Sequence, residues 1–367
     1  FEYALAPLFS VAFMDDAGRE IALRPGERRW TPAALEVPYA TTSGLSLMEA
    51  RMVLPGFVLG SEWQVENVGA APVKLHAVAW ATAPGEEVEP GEVTYEESEL
   101  SWARVLRDRQ GHELPVQLQL AIARGTDSWG AIRSERTADQ PHFSLTPFWD
   151  RWDPMHGGLR SAAELDGIST AGLVYLGVHR EIEIEPGATV RLAVALRAVP
   201  DLVESALRVE VAAPRRASSF LAASRASWDG YFESLPSFRC SDPYFERYWA
   251  YRWYGLRLNG IAAGWGQYVA PTVAEGIAYF HQPISYSAQC HLRELRWSTD
   301  PEWARGVLRT FVAHQKPDGS FHGRIYANHV DGTDFYHADW GGALLALDAV
   351  HPSDAYLREV LPALEGY

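Results

Sequence analysis

The stretch Thr189-Val190-Arg191-Leu192-Ala193-Val194-Ala195-Leu196-Arg197-Ala198-Val199-Pro200 decides the fold. Val190, Leu192, Val194 and Leu196 alternate with Arg191, Ala193, Ala195 and Arg197, the period of two that a half-buried strand requires. Beyond Pro200 the period lengthens. Phe220, Leu221, Ser224, Trp228 and Phe232 fall on one helical stripe between residues 217 and 232. The chain therefore divides near residue 200 into a β part and a helical part.

Working back from that boundary, period-two alternation recurs over residues 172–184, 116–123, 73–82, 57–66 and 46–54. Asp16-Ala17-Gly18, Asn67-Val68-Gly69 and Glu185-Pro186-Gly187 supply turn chemistry between such runs. Many strands with no helical period between them predict an antiparallel β-sandwich over residues 1–200. Residues 137–170 interrupt it with a long aromatic loop containing Phe148, Trp149 and Trp152, which we expect to be ordered.

Working forward, residues 201–237 read as a helical linker and residues 238–367 as an all-α domain. Asp242-Pro243 is an N-cap followed by Pro at the first helical position, and Phe245, Tyr248, Trp249, Arg252 and Leu256 follow at helical spacing. Asp300-Pro301 opens another helix through Trp303, Val307, Phe311 and His314. Further helices are predicted over residues 286–297, 340–350 and 354–364.

Among 367 residues, 32 are Lys or Arg and 47 Asp or Glu, a formal charge of −15 that argues against a nucleic-acid partner and an anionic membrane surface. No apolar run reaches the length of about 18 residues that a membrane helix needs. Two cysteines, Cys240 and Cys290, make neither a disulfide framework nor a metal motif, and their scarcity fits cytoplasm or periplasm without choosing between them. Cys290 is expected to be a buried structural thiol. Fourteen Trp, 16 Tyr and 14 Phe are many for this length; they fit a large aromatic core or a surface on which sugar rings stack. The chain opens on Phe1 and closes on Tyr367 just past a helical pattern, as a trimmed or processed chain would.

Polar and aromatic residues gather between the predicted helices in three clusters. The first holds Trp265 and, beyond it, Glu275, Tyr279, His281 and Gln282; the second holds Gln315, Asp318, His322, Arg324 and Tyr326; the third holds Asn328, His329, Asp331, His337, Asp339 and Trp340. Loops at one end of a helical array converge, so these clusters are expected to line one cleft that binds sugar hydroxyls. Trp340 is placed in that cleft, stacking on a ring, with the packing of a core Trp as its alternative. His322, His329 and His337 lack the spacing of a zinc site, and Asp331-Gly332-Thr333-Asp334 reads as a turn, so no metal and no cofactor is expected.

The order of sandwich, linker helix and helical array, with Asp300-Pro301-Glu302-Trp303-Ala304-Arg305 leading through Phe311 and Gln315 to Asp318-Gly319 and Arg324-Ile325, resembles the (α/α)6-barrel glycoside hydrolases of clan G. The likeness is to family 63, its bacterial α-glucosidase and mannosylglycerate hydrolase relatives and, more distantly, the trehalases. It covers residues 215–350 by motif and the sandwich by architecture only. The resemblance implies a β-sandwich followed by the first half of an (α/α)6 barrel. It implies a glycoside hydrolase acting on glucosidic or related α-linked sugars, with an inverting mechanism. Where the family's early barrel loop carries a Trp-Asp pair, the corresponding stretch here reads Thr272-Val273-Ala274-Glu275-Gly276-Ile277, leaving Glu275 as its carboxylate. The acid and base implied by the family fall outside this chain; of the carboxylates within it, Asp339 and Glu275 are the catalytic candidates. The expected substrate-binding set is Trp265, Tyr279, His281, Gln282, Gln315, Asp318, His322, Arg324, Tyr326, His337 and Trp340. Half a barrel would expose its inner helix faces, so a second chain or segment is an expected partner beside the oligosaccharide or small glycoside. The alternatives are a carbohydrate-binding or scaffold protein without turnover and an α/α polysaccharide lyase, although a lyase usually has its helical domain first.

Overall fold

The structure, a computed structural model, describes residues 9–88, 93–107, 113–134, 152–153, 158–159, 162–164, 173–200, 219–331 and 336–367. Most of the 137–170 loop, the 201–218 portion of the predicted linker and residues 332–334 of the predicted turn lie outside the described residues. The described chain forms two compact units, residues 9–200 with 219–228 and residues 229–367.

Among the described residues, the first unit holds two large β-sheets and a separate two-stranded pair, Trp152–Asp153 with Gly158–Leu159. Its ten longer strands are β1 (Ser10–Asp15), β2 (Leu35–Ala40), β3 (Leu45–Leu54), β4 (Val58–Asn67), β5 (Val73–Pro84), β6 (Glu99–Arg107), β7 (Glu113–Ile122), β8 (Ser128–Ser134), β9 (Leu173–Ile184) and β10 (Thr189–Pro200). One sheet runs β1-β5-β9-β8 and ends on the short strand Ala162–Glu164; the other runs β2-β3-β4-β10-β7-β6 with short strands at its edges. Every pairing among the numbered strands is antiparallel. The deciding stretch is β10, central in its sheet, with Leu192 opposite Trp63 and Val194 opposite Ile122. One core takes its side chains from both sheets. Ala77, Ala79, Ala81 and Ala83 of β5 leave volume that large residues such as Trp63 and Trp102 of the other sheet can fill. Asn67 closes the turn after β4, donating to Ala71 and Ile184 carbonyls and accepting from Gly69 N at 2.9 Å. Helix α1 (Phe220–Glu233) lays Phe220 on the outer face of the larger sheet beside Ala50 and Met52.

The second unit holds α2 (Pro243–Leu258), α3 (Ser285–Leu295), α4 (Glu302–Val312), α5 (Trp340–Asp348) and α6 (Asp354–Gly366). Asp242 caps α2 by accepting from Tyr244 N, with Pro243 in the first turn. At α4, Asp300 accepts from Glu302 N at 3.0 Å. Leu292, Val307, Phe311, Leu347 and Val360 meet in one core. Two bidentate ion pairs join helices: Arg252 to Glu294 between α2 and α3, and Arg309 to Glu359 between α4 and α6.

Two sequence readings are corrected here. The α2 stripe does not face inward as a whole: Phe245 and Tyr248 are 62% and 59% exposed, while Trp253 and Leu256 are buried. Aromatic residues lie all round this helix, so spacing alone does not select its buried face. Cys290 is exposed on α3, not buried; the inward positions of that helix are Ala288, Leu292 and Leu295.

Candidate functional site

All the candidate residues lie in the helical unit, on the connections between its helices except Trp340, which begins α5. The first connection leaves α2 through a two-stranded hairpin, Gly260–Ile261 against Thr272–Val273. Its tip is drawn close to a later loop: Gln267 N donates to Ala327 O (2.8 Å) and His314 Nε2 to Gln267 O (2.7 Å). Gly266 makes this approach possible, because a Cβ there would stand 1.8 Å from Ala327 O, and its φ is +56°. Trp265 is half-buried against the helical core.

The chain then enters a compact turn. Glu275 N donates to Gln282 O, Gly276 N to Phe280 O, and the Gln282 side-chain amide to Tyr279 O at 2.8 Å. Gln282, 2% exposed, thus holds the turn together from within. The turn pushes Tyr279 outward, 64% exposed, and leaves His281 exposed beside it. Among the described residues, no donor reaches the half-buried Glu275 carboxylate.

Arg324 is where the α2–α3 and α4–α5 connections meet. It begins the short strand Arg324–Ile325, which bridges Ile284 at the start of α3. The Arg324 side chain is buried at 5% exposure, its guanidinium 4.6 Å from the Tyr279 ring centroid and 5.9 Å from that of Tyr336. It donates to Tyr336 Oη at 2.9 Å. A guanidinium against ring faces gains cation–π attraction, and burial strengthens it. The resulting face presents an exposed aromatic ring, fixed from behind by a buried cation, on the same turn as Glu275.

Other candidates have structural partners. Asp339 caps α5 by accepting from Gly342 N and pairs with Arg293, which also holds Gln289. The Gly342 amide and then Arg293 hold the Asp339 carboxyl below its ordinary range, so it stays ionised at neutral pH. Asp318 accepts from the backbone and hydroxyl of Ser320, and these two contacts hold it low as well. Gln315 donates to Gly319 O and Ala363 O, tying this turn to the end of α6. Tyr326 stacks on His329 with ring centroids 4.4 Å apart. His322 is half-buried and His337 exposed.

Trp340 corrects the cleft expectation. It is 1% exposed, packed 5.0 Å from Phe311 and 5.8 Å from Phe321 between ring centroids. With Trp340 in the core and Asp318 occupied in its own turn, the three clusters do not form one wall. The face that forms joins Tyr279, Glu275, Arg324 and Tyr336. Tyr336 was missed as a candidate although it stands beside His337 in the third cluster. His291 was missed too: burial pushes its imidazole down to about 4, and among the described residues its Nδ1 has no partner. Among the described residues, no group of three or more His, Cys, Asp or Glu is placed to hold a metal ion.

No protein-family profile matches this chain, and no curated protein matches its sequence. Solved structures do. A human-microbiome protein provisionally named as a kojibiose phosphorylase aligns over 84% of this chain with a TM-score of 0.54 and 7% identity. This is a likeness of fold. A family GH92 α-mannosidase from Bacteroides thetaiotaomicron aligns over 98% of the chain, with a TM-score of 0.47 and 9% identity. The chain spans 39% and 46% of the length of these two proteins. The architecture common to the first of them and this chain is an antiparallel β domain followed by a helical one.

Proposed function

We propose that this chain belongs to a carbohydrate-active enzyme that cleaves α-linked glycosides with inversion, and that its helical unit is the first half of an (α/α)6 barrel. The observation that carries the reading is the Tyr279 ring, exposed and backed by buried Arg324, with the unengaged Glu275 carboxylate on the same turn. A sugar ring would stack its C–H face on Tyr279 while Glu275 accepts from a hydroxyl. The fold likeness to a protein named as acting on kojibiose supports the substrate class.

Inversion needs one carboxylic acid to protonate the leaving oxygen and one base to activate water, roughly 6.5–9.5 Å apart. Asp339 is poorly suited to the acid role, because Gly342 and Arg293 favour its ionised form. In this reading Glu275 positions substrate, and the acid and base come from a segment beyond these residues or from a second chain.

The test is calorimetric titration with kojibiose and an α-mannobiose. Saturable binding of one of them, lost by at least tenfold in Tyr279→Ala and in Glu275→Gln with unchanged melting temperature, supports the reading. Binding indifferent to both substitutions refutes it. The name of the first structural neighbour favours a second reading, phosphorolysis, in which phosphate replaces water. Release of a sugar 1-phosphate when phosphate is added to the complete enzyme separates it from hydrolysis.

A further inference from the structure

A separate pocket lies on the outer face of the larger sheet. Strands β2, β3 and β4 place Glu36, Ala50 and Glu62 in one cross-strand row, since Glu36 pairs with Ala50 and Ala50 with Glu62. Two strand spacings separate the outer pair, on the order of 10 Å between backbones. The side chain between the two glutamates is a methyl group, so the row has a gap at its centre. Met48 and Gln64 border the gap in the next row, and Leu221 and Arg225 of α1 line it from the helix. The cavity has a volume of about 180 Å³, room for about six water-sized groups.

Its polar groups are unequally satisfied. Arg225 pairs with Glu36 at 2.6 Å. Glu62 is 5% exposed, and both of its hydrogen bonds, from Ser219 Oγ (2.8 Å) and Leu221 N (3.1 Å), fall on Oε2. Among the described residues, no donor reaches Oε1, although Glu62 lines the cavity. The second oxygen of this nine-tenths-buried carboxylate opens on the cavity, where a donor, and best a cation, can complete it. The pocket holds two carboxylates against one guanidinium, and its remaining wall, Met48, Ala50 and Leu221, is apolar.

We infer that this pocket binds a small primary alkylammonium, its nitrogen donating to Glu62 Oε1 and its alkyl chain lying over Ala50 between Met48 and Leu221. An anion would meet a carboxylate excess, and a neutral alcohol would leave the Glu62 charge uncompensated.

The test follows the methyl signal of Met48 in protein labelled with ¹³C-methyl methionine during titration with n-butylammonium chloride. Butan-1-ol at matched ionic strength is the neutral control. The expected result is a saturable shift with butylammonium and none with butanol. Glu62→Gln keeps an acceptor for Ser219 and Leu221 and should weaken binding at least tenfold. Arg225→Ala removes the cation that competes at Glu36 and should tighten binding severalfold, a gain that a damaged fold cannot imitate. No saturable Met48 shift, an equal response to butanol, unchanged affinity in folded Glu62→Gln, or weaker binding in Arg225→Ala would each overturn the inference.

Discussion

In the β unit, the large aromatic residues Trp63, Trp80, Trp102 and Tyr175 are each no more than 3% exposed, whereas in the helical unit Tyr244, Tyr279 and Tyr286 are 76%, 64% and 61% exposed. The sandwich buries both faces of its central strands, so aromatic residues there fill volume against small partners such as the β5 alanines. The helical unit sorts its aromatics: Phe311, Phe321 and Trp340 form a core, and Tyr279 stands outside it on a buried arginine. The aromatic excess of the sequence therefore has two destinations, a buried one that packs and an exposed one, and it is the exposed Tyr279 ring for which we propose recognition.

The largest expected effect tests the packing half of that contrast. Trp340→Ala removes an indole lodged between Phe311 and Phe321 and should cost about 3–5 kcal/mol of stability. Denaturant unfolding followed by circular dichroism reads it. A loss below about 1 kcal/mol would return Trp340 to the surface and break the comparison.

A second, smaller effect concerns protons. Burial pushes His179 in the β unit and His291 in the helical unit each down to about 4. The unfolded chain takes up these protons near the ordinary histidine value of 6.5, while the folded one stays neutral until about 4. Their contribution is thus intact above pH 6.5 and shrinks as pH falls towards 4, by up to about 3 kcal/mol for each histidine. Imidazole Cε1–H signals should not titrate before that range is reached. Titration of either near 6.5 would show that its unit is open to water there.

The alternation of β10 made the β half legible, because a period of two with Arg191 and Arg197 outward has one solution in a sandwich. The helix positions were legible from caps such as Asp242-Pro243 and Asp300-Pro301. What could not be read depends on partners distant in the chain. Arg252 and Glu294 are 42 positions apart, and Ser219 meets Glu62 across 157. Trp340 follows a polar loop and precedes two glycines, a local context that fits a cleft as well as a core; Phe311 and Phe321 decide it. Of the candidate site, Tyr279, Arg324 and Glu275 were legible as polar and aromatic loop residues, but their meeting with Tyr336 was not.

The smallest expected effect sharpens the reading of the helix starts. Asp242→Ala removes the acceptor for Tyr244 N and should cost about 1 kcal/mol. A Gly at the same position should cost only a few tenths of that unit. No loss in Asp242→Ala would show that the cap hydrogen bond does not set where α2 begins.

The most direct test of recognition by the Tyr279 face pairs two variants in one titration. Wild-type protein, Tyr279→Ala and Trp340→Ala are titrated with kojibiose, with the folded fraction of each measured in the same buffer. The account predicts that Tyr279→Ala loses on the order of 1–3 kcal/mol of affinity, by analogy with stacking on other flat rings, and keeps its melting temperature. Trp340→Ala should bind normally per folded molecule. Unchanged affinity in Tyr279→Ala, with affinity lost in the folded fraction of Trp340→Ala, would contradict it.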